Sequence, residues 1–255
     1  MAAANAIAQR ARVQSADARS VVVDVQRWPG HRPGQFAMLR LDAVGTCRDP
    51  ILPRPMAIFR SETRGAGARL EFQLKVVGRG TALLAALPPG SEIGVLGPLG
   101  NGFPDLTGPA VLVGGGTGIA SLYELAAAAS VRPRVLLGGR SVQDLLGLAA
   151  FQDLDVDLEL VTEDGSVGHR GLVTERLEAK PDTTVVACGP TGMMRRTAEL
   201  ARAAGARCLV SLESPMACGF GICLGCAIPT QKGISYCCTH GPVFDAAEVR
   251  WEGLA

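Results

Sequence analysis

Short apolar runs alternate with turn-forming breaks through the first hundred residues. "RSVVVDVQRW" (19–28), "GQFAMLRL" (34–41), "RPMAIFR" (54–60), "ARLEFQLKVV" (68–77) and "SEIGVLGP" (91–98) are continuous or alternating apolar segments. The breaks between them are "PGHRPG", "RDPILP", "RGAGA" and "LPPG". Regular short strands separated by Gly/Pro turns predict a small antiparallel β-barrel. One helix is expected within it, at "GTALLAAL" before Pro88.

The period changes at Pro109. "PAVLVGGGTGIASLYELAAAAS" (109–130) predicts a buried strand, a glycine turn and a helix. "RPRVLLGGR" and "DVDLELVTED" predict further buried strands, "GLVTERL" starts a helix, and "TTVVACGP" is another strand. "TGMMRRTAELARAAG" predicts a helix and "ARCLVSLE" a last strand. Strands alternating with helices predict a parallel α/β sheet. The expected organisation is a barrel at 1–105, a nucleotide-type α/β domain at 106–210 and a cysteine-rich domain at 211–255.

Composition narrows the function classes. A 255-residue chain with 47% hydrophobic residues and net charge +1 has the profile of a soluble globule. Near-neutral charge speaks against nucleic acid or an anionic membrane as main partner. No apolar stretch approaches the roughly 18 residues a spanning helix needs. In "MAAANAIAQRARV", Arg10 and Arg12 arrive before a signal-length apolar region develops. The expected location is the cytoplasm, where clustered cysteines more often bind metal than pair with each other.

Five of the eight cysteines fall between Glu213 and Cys238. Cys218, Cys223 and Cys226 are spaced C-x4-C-x2-C, and Cys238 follows after eleven intervening residues. That is plant-type [2Fe-2S] spacing. A zinc site would prefer two C-x2-C pairs, and only Cys223/Cys226 supply one. Cys237 beside Cys238 is ambiguous, because neighbours in a strand face opposite ways. Cys47, Cys188 and Cys208 stand alone and read as core or site-lining residues.

The triple glycine of "VLVGGGTGIASL" sits between strand and helix, where a helix N-terminus seats pyrophosphate. A tight βα turn without ligand is the bland alternative. "ACGPTGMM" ends a later strand, so the two glycine turns are expected to line one cleft beyond the strand ends. In the barrel, Arg54 before a rigid proline is able to aim its fork at phosphate, and Gly80-Thr81 opens a helix. Arg140 after "LLGG" is able to pair with a 2′-phosphate or to stack on adenine. His31, His169 and His240 fall in turn-like segments expected to be exposed, and none reads as a general base.

"RPMAI", "KVVGRGT", "VGGGTGIASLYELA", "TEDGSVGHRGLVT", "CGPTGMM", "ESPMACGFGICLGC" and "CCTHGPVF", in this order, resemble the electron-transfer subunits of NAD-dependent dihydroorotate dehydrogenase. These belong to the ferredoxin–NADP reductase superfamily. The resemblance implies an FAD in the barrel, along Arg54, Pro55, Met56 and Ala57 and along Gln73, Leu74 and Lys75. The FAD phosphates are implied near Arg54, Gly80 and Thr81. It implies NAD over Gly114, Gly115, Gly116, Thr117 and Gly118 and over Cys188, Gly189 and Pro190. It selects Cys238 over Cys237 as fourth cluster ligand, through its distance from "GPVF". It further implies an FMN-containing catalytic subunit that oxidises dihydroorotate, a two-plus-two assembly, and electron flow from FMN through cluster and FAD to NAD in pyrimidine biosynthesis.

Three departures stand out. Ala57 occupies a position usually Ser or Thr, whose hydroxyl is placed for the flavin N5. Ser121 replaces a proline, and Cys237 replaces a residue more often basic. A diaphorase subunit of a hydrogenase, sulfide dehydrogenase or ferredoxin-linked complex would share the domain order. A redox sensor or zinc-stabilised binding module is the reading in another class.

Overall fold

The computed structural model describes residues 5–41 and 50–254, so Cys47 lies outside the described residues. Seven strands form the first sheet: β1 (Ile7–Ala16), β2 (Ser20–Val25), β3 (Phe36–Arg40), β4 (Arg54–Ala57), β5 (Arg60–Arg64), β6 (Gly67–Gln73) and β7 (Glu92–Leu99). Their order is β4-β3-β7-β1-β2-β6-β5, and every pairing is antiparallel. Val21, Val23, Leu39, Leu70, Phe72 and Ile93 pack in the core of this sheet. The expected barrel is a half-barrel. Among the described residues no ladder joins β4 to β5, and these edges meet through the chain itself at Ile58 and Phe59. Ile58 enters the core of the half-barrel while Phe59 enters that of the next layer, so the corner is pinned from both sides. Helix α1 (Arg79–Ala85) follows β6 as its pattern predicts.

Strand β1 is a finding beyond the sequence pattern. Its inward positions include Ala11 and Val13, 2% and 1% exposed, while Arg10 and Arg12 alternate with them. Alanine and glutamine carry little apolar signal, so the period of two is hidden.

The second sheet contains β8 (Ala110–Gly115), β9 (Arg134–Gly139), β10 (Asp157–Thr162), β11 (His169–Arg170), β12 (Thr184–Cys188) and β13 (Arg207–Ser211). Helices α2 (Tyr123–Ala127), α3 (Leu148–Gln152) and α4 (Thr191–Ala203) lie along this part of the chain. The C-terminal segment forms a hairpin of β14 (Ala227–Thr230) and β15 (Gly233–Tyr236). It then returns as β16 (Val243–Asp245), antiparallel to β13, at the edge of the second sheet. The sheet order is β11-β10-β9-β8-β12-β13-β16. From β8 the chain winds outward through β9 and β10, then crosses back to β12 on the other side. The crevice between β8 and β12 is therefore the topological switch point, where ligands bind in such sheets.

Two predicted helices are shorter than their patterns. Gly116–Leu122 is a 3-10 helix and only Tyr123–Ala127 is α-helical. The turn starts with Gly116 at φ +56° and presses Gly118 onto the β12 backbone, which tightens the first turns. "GLVTERL" likewise forms a 3-10 turn at Val173–Arg176. No helix among the described residues is long and apolar enough to cross a membrane.

His31 is not exposed. Its side chain is 4% accessible, with Nε2 2.7 Å from Glu124 Oε2. Trp28 Nε1 donates to His31 Nδ1 at 3.2 Å, which makes Nε2 the donor to Glu124. Ser61 Oγ donates to the other carboxylate oxygen at 2.9 Å. Glu124, on α2, thus gathers two groups of the half-barrel and ties the two sheets together. Removing it strands two half-buried donors. Glu124→Ala is expected to lower unfolding stability by about 1–3 kcal/mol, read as a fall in the urea midpoint at unchanged slope; an unmoved midpoint contradicts the role.

Candidate functional site

Two spaces flank the glycine turn after β8, and a cysteine loop packs beyond β13. The first is a cavity of about 550 Å³ between the half-barrel and the second sheet. Pro55, Met56 and Ala57 of β4, Gln73 of β6, and Leu74 and Lys75 beyond it form one wall. Thr81 of α1 lines it too, while Thr117, Ser121, Ser211 and Glu213 come from the second sheet and its turns. Both Pro55 and its neighbours lie in a β4 paired to β3, so the wall is rigid. A Cβ on Gly80 would sit 2.1 Å from Arg54 Nε; only glycine lets the Arg54 guanidinium lie over the start of α1. Arg54 Nη1 donates to the Leu52 carbonyl at 2.7 Å, which fixes the fork in place.

The second feature is a cleft of about 540 Å³ on the other side of the glycine turn. Gly115, Gly116, Gly139, Arg140, Pro190 and Arg196 are among its lining residues. The turn therefore divides the space: Gly115 and Gly116 face the cleft and Thr117 faces the cavity. Gly114 lies inside β8, packed by Leu122, Leu137 and Ile119. Gly118 is structural in another way: a Cβ there would lie 2.4 Å from the Cys188 carbonyl carbon. Register pairs Cys188 with Gly114, which brings the two glycine turns together. Gly189, at φ +152°, closes onto the Gly115 backbone. The Cys188 thiol turns inward, donating to the Ser211 carbonyl at 3.4 Å, and burial with the nearby Glu213 charge pushes it up to about 12.

Lys75 lines both spaces and pairs with Asp144, which also faces the cleft. Arg140 Nε stands 3.6 Å from the same carboxylate. The hydrogen bond from Lys75 holds the Asp144 carboxyl below its ordinary value. The sequence pattern points to neither Asp144 nor Glu213. Asp144 sits in an unremarkable polar run, and Glu213 opens the cysteine stretch without periodicity to mark it. Glu213 projects into the open cavity, yet protein on its other sides pushes its carboxyl up, against a hydrogen bond with Thr117. Hydroxyls in the cavity come from Thr81, Thr117, Ser121, Ser211 and Ser214, while Ala57 contributes a methyl.

The third feature is the cysteine loop. Its thiols stand as two pairs. Cys226 and Cys238 have their sulfurs 3.2 Å apart, both residues 2% exposed. Cys218 hydrogen-bonds with the Cys223 thiol, and Cys223 is exposed. Among the described residues no three His, Cys, Asp or Glu side chains form a group around a single metal ion. Two pairs suit two tetrahedral irons bridged by sulfide, each taking two thiolates. The loop backbone fits the same charge. Burial raises the Cys218 thiol, but N–H groups of Cys223, Phe220 and Ile222 and the Cys223 side chain outweigh it and bring it to about 6. Burial and the adjacent Cys226 push Cys238 up to about 12. Leu224 is held at φ 59°, a conformation that a branched side chain adopts at a cost. Cys237 turns away from the loop into the core, with its thiol on the Leu212 carbonyl.

Comparison with known proteins gives the family. The family model for the iron–sulfur cluster binding domain of dihydroorotate dehydrogenase B matches residues 213–250. The electron transfer subunit of dihydroorotate dehydrogenase B (NAD(+)) of Clostridium acetobutylicum is 34% identical over 221 residues, covering 86% of each chain. That of Bacillus caldolyticus is 37% identical over 235 residues, again covering 86% of each. The chain belongs to the family of dihydroorotate dehydrogenase B electron-transfer subunits. Among solved structures, an NADH-dependent reduced ferredoxin–NADP oxidoreductase chain superposes with TM-score 0.78 at 30% identity, covering 98% of this chain and 91% of that one. A ferredoxin NADP+ reductase of Neisseria gonorrhoeae with bound FAD and NADP shares the fold, at TM-score 0.57 and 18% identity over 78% of this chain and 92% of that one.

Two predictions follow the geometry. Gly118→Ala forces backbone against backbone and is expected to cost about 1–3 kcal/mol, measured by thermal unfolding; an unchanged melting temperature contradicts the close approach. Asp144 is an acid with a depressed pKa, so its stabilising pair with Lys75 is complete above the ordinary value of 3.8 and is lost as pH falls through the depressed one. Asp144→Asn should flatten that acid limb in urea midpoints measured against pH, and an identical limb in the variant contradicts the assignment.

Proposed function

We propose that this chain carries electrons between a dihydroorotate-oxidising partner subunit and NAD. Cys218, Cys223, Cys226 and Cys238 hold a [2Fe–2S] cluster, with Cys237 excluded. Arg54, Pro55, Met56, Ala57, Gln73, Leu74, Lys75, Gly80 and Thr81 hold FAD. NAD enters the cleft beside Gly115, Gly116, Pro190 and Arg140, with Gly114, Gly118, Cys188 and Gly189 shaping the turns behind it. The segments 1–105, 106–210 and 211–255 divide the labour between FAD, NAD and cluster, although β16 is built into the second sheet. When bound, a flavin exchanges hydride with nicotinamide and single electrons with an iron–sulfur cluster.

The residues of this chain bind, orient and shield. The Arg54 fork supplies donors for phosphate at the start of α1. Thr117 faces the cavity while Gly115 and Gly116 face the cleft, so the glycine turn would border both groups. Glu213 and Thr117 set a carboxyl and a hydroxyl at the cavity wall. The partner is an FMN-containing subunit, two copies of each chain form the complex, and the cytoplasm is its compartment. The observation carrying this reading is the pair of thiol couples set beside a cavity, in a chain 34–37% identical over most of its length to electron-transfer subunits of that enzyme.

The likeness to the ferredoxin–NADP oxidoreductase chain over 98% of this chain favours one second reading, a diaphorase subunit of another complex. Anaerobic purification with the neighbouring gene products separates the two. The first reading expects one FAD and two irons per chain and dihydroorotate-dependent reduction of NAD+. NADH oxidation with no response to dihydroorotate would favour the second. Cys238→Ala should lose iron and keep flavin while Cys237→Ala keeps both; the reverse pattern overturns the ligand assignment.

A further inference from the structure

The cysteine loop is asymmetric. Cys223 is exposed, and it is surrounded by Phe220, Ile222 and Leu224, 41%, 72% and 53% exposed. Cys226 and Cys238 are enclosed, and their neighbour Cys237 is 0% exposed. One thiol pair reaches the surface at Cys223 and the other is enclosed. A contact across the inner side has no counterpart in the ligand set. Cys237 Sγ donates to the Leu212 carbonyl at 3.0 Å, and the Cys237 N–H donates to the Cys226 carbonyl at 2.9 Å. Leu212 lines the cavity, and its N–H is held by the carbonyl of Pro242, another lining residue, at 2.9 Å. From Cys238 to the cavity wall the path therefore runs through the Cys237–Cys238 peptide, the Cys237 side chain and one hydrogen bond, and from Cys226 it takes two hydrogen bonds.

Electronic coupling decays steeply across van der Waals gaps and slowly along covalent and hydrogen bonds. We propose that the Cys237 thiol, closed onto the Leu212 carbonyl, is the bridge that couples the Cys226–Cys238 pair to the flavin cavity. This rests on the cluster and flavin reading above. Cys237 is not a ligand in this role; it positions a bonded path. The competing path runs from the outer pair through Cys218, Ala217 and Met216, and Met216 also lines the cavity. That route begins at the less enclosed sulfur and ends in a flexible, half-buried side chain. The transfer itself moves one electron from the reduced flavin to the oxidised cluster, or back, with no bond made or broken in Cys237.

The test uses anaerobic holoprotein with its partner subunit and three forms of residue 237. Cys237→Ser keeps a donor for the Leu212 carbonyl, while Cys237→Val fills the space without one. Flash photoreduction of the flavin, followed by absorbance at cluster wavelengths, reads the transfer directly. The expected result is a several-fold slower transfer in Cys237→Val and a rate near the original in Cys237→Ser. Iron content, flavin content and cluster potential should be unchanged in both. Equal rates in all three forms overturn the bridge and assign transfer to the Met216 path. Equal slowing in both variants, or a shifted cluster potential accompanying the slowing, overturns it in favour of packing or driving force. Loss of iron in Cys237→Ser would instead strike at the ligand assignment, which keeps the two failures distinct.

Discussion

The rest of the structure depends on bringing two thiol pairs together, three cysteines on one loop and Cys238 returning to them past the β14–β15 hairpin. Thiolates repel each other and a buried thiol resists ionising, so the loop needs backbone N–H groups to aim at sulfur. The chain supplies these by curling through Gly219 and Gly221 and by forcing Leu224 into a left-handed turn. The curl would be costly alone. It is stabilised by burial, since Cys226, Cys237 and Cys238 share one apolar core with Phe36 and Met38 of the half-barrel and Val113, Val210 and Phe244 of the second sheet. Packing on both sheets is what fixes the loop beside the cavity.

The same logic explains why the cysteine segment is not a free appendage. After its hairpin the chain returns as β16 to pair with β13, whose end leads into Leu212 and Glu213 at the cavity wall. The last parallel strand and the residue after it therefore carry three duties: β13 seats β16, Ser211 and Leu212 line the cavity, and the Leu212 carbonyl receives the Cys237 thiol. The glycine turns act as the complementary constraint. Gly118 lies on the Cys188 carbonyl so closely that two loops become one surface, with a space on each side and Lys75 reaching both.

Much of this was legible in the sequence, for physical reasons that can be named. The C-x4-C-x2-C spacing is read directly because ligand geometry restricts it, and the βαβ pattern because fully buried strands are apolar without interruption. Strand β1 was hidden because small and amide side chains fill its inward positions. The 3-10 geometry at Gly116–Leu122 was hidden because it arises from contact with β12, 70 residues away in the chain, and not from local propensity. His31 looked exposed because it lies among turn residues, yet a carboxylate from α2 encloses it. Asp144 and Glu213 gain their place only when the two layers pack. Long-range contacts decide each of these cases.

The most direct measurement of the central claim is Mössbauer spectroscopy on isotopically enriched, anaerobically isolated complex, before and after one-electron reduction. Two thiolate pairs predict two ferric sites coupled to a diamagnetic state, then one ferric and one ferrous site after reduction. A single mononuclear iron environment, or no iron and no acid-labile sulfide, would contradict the account.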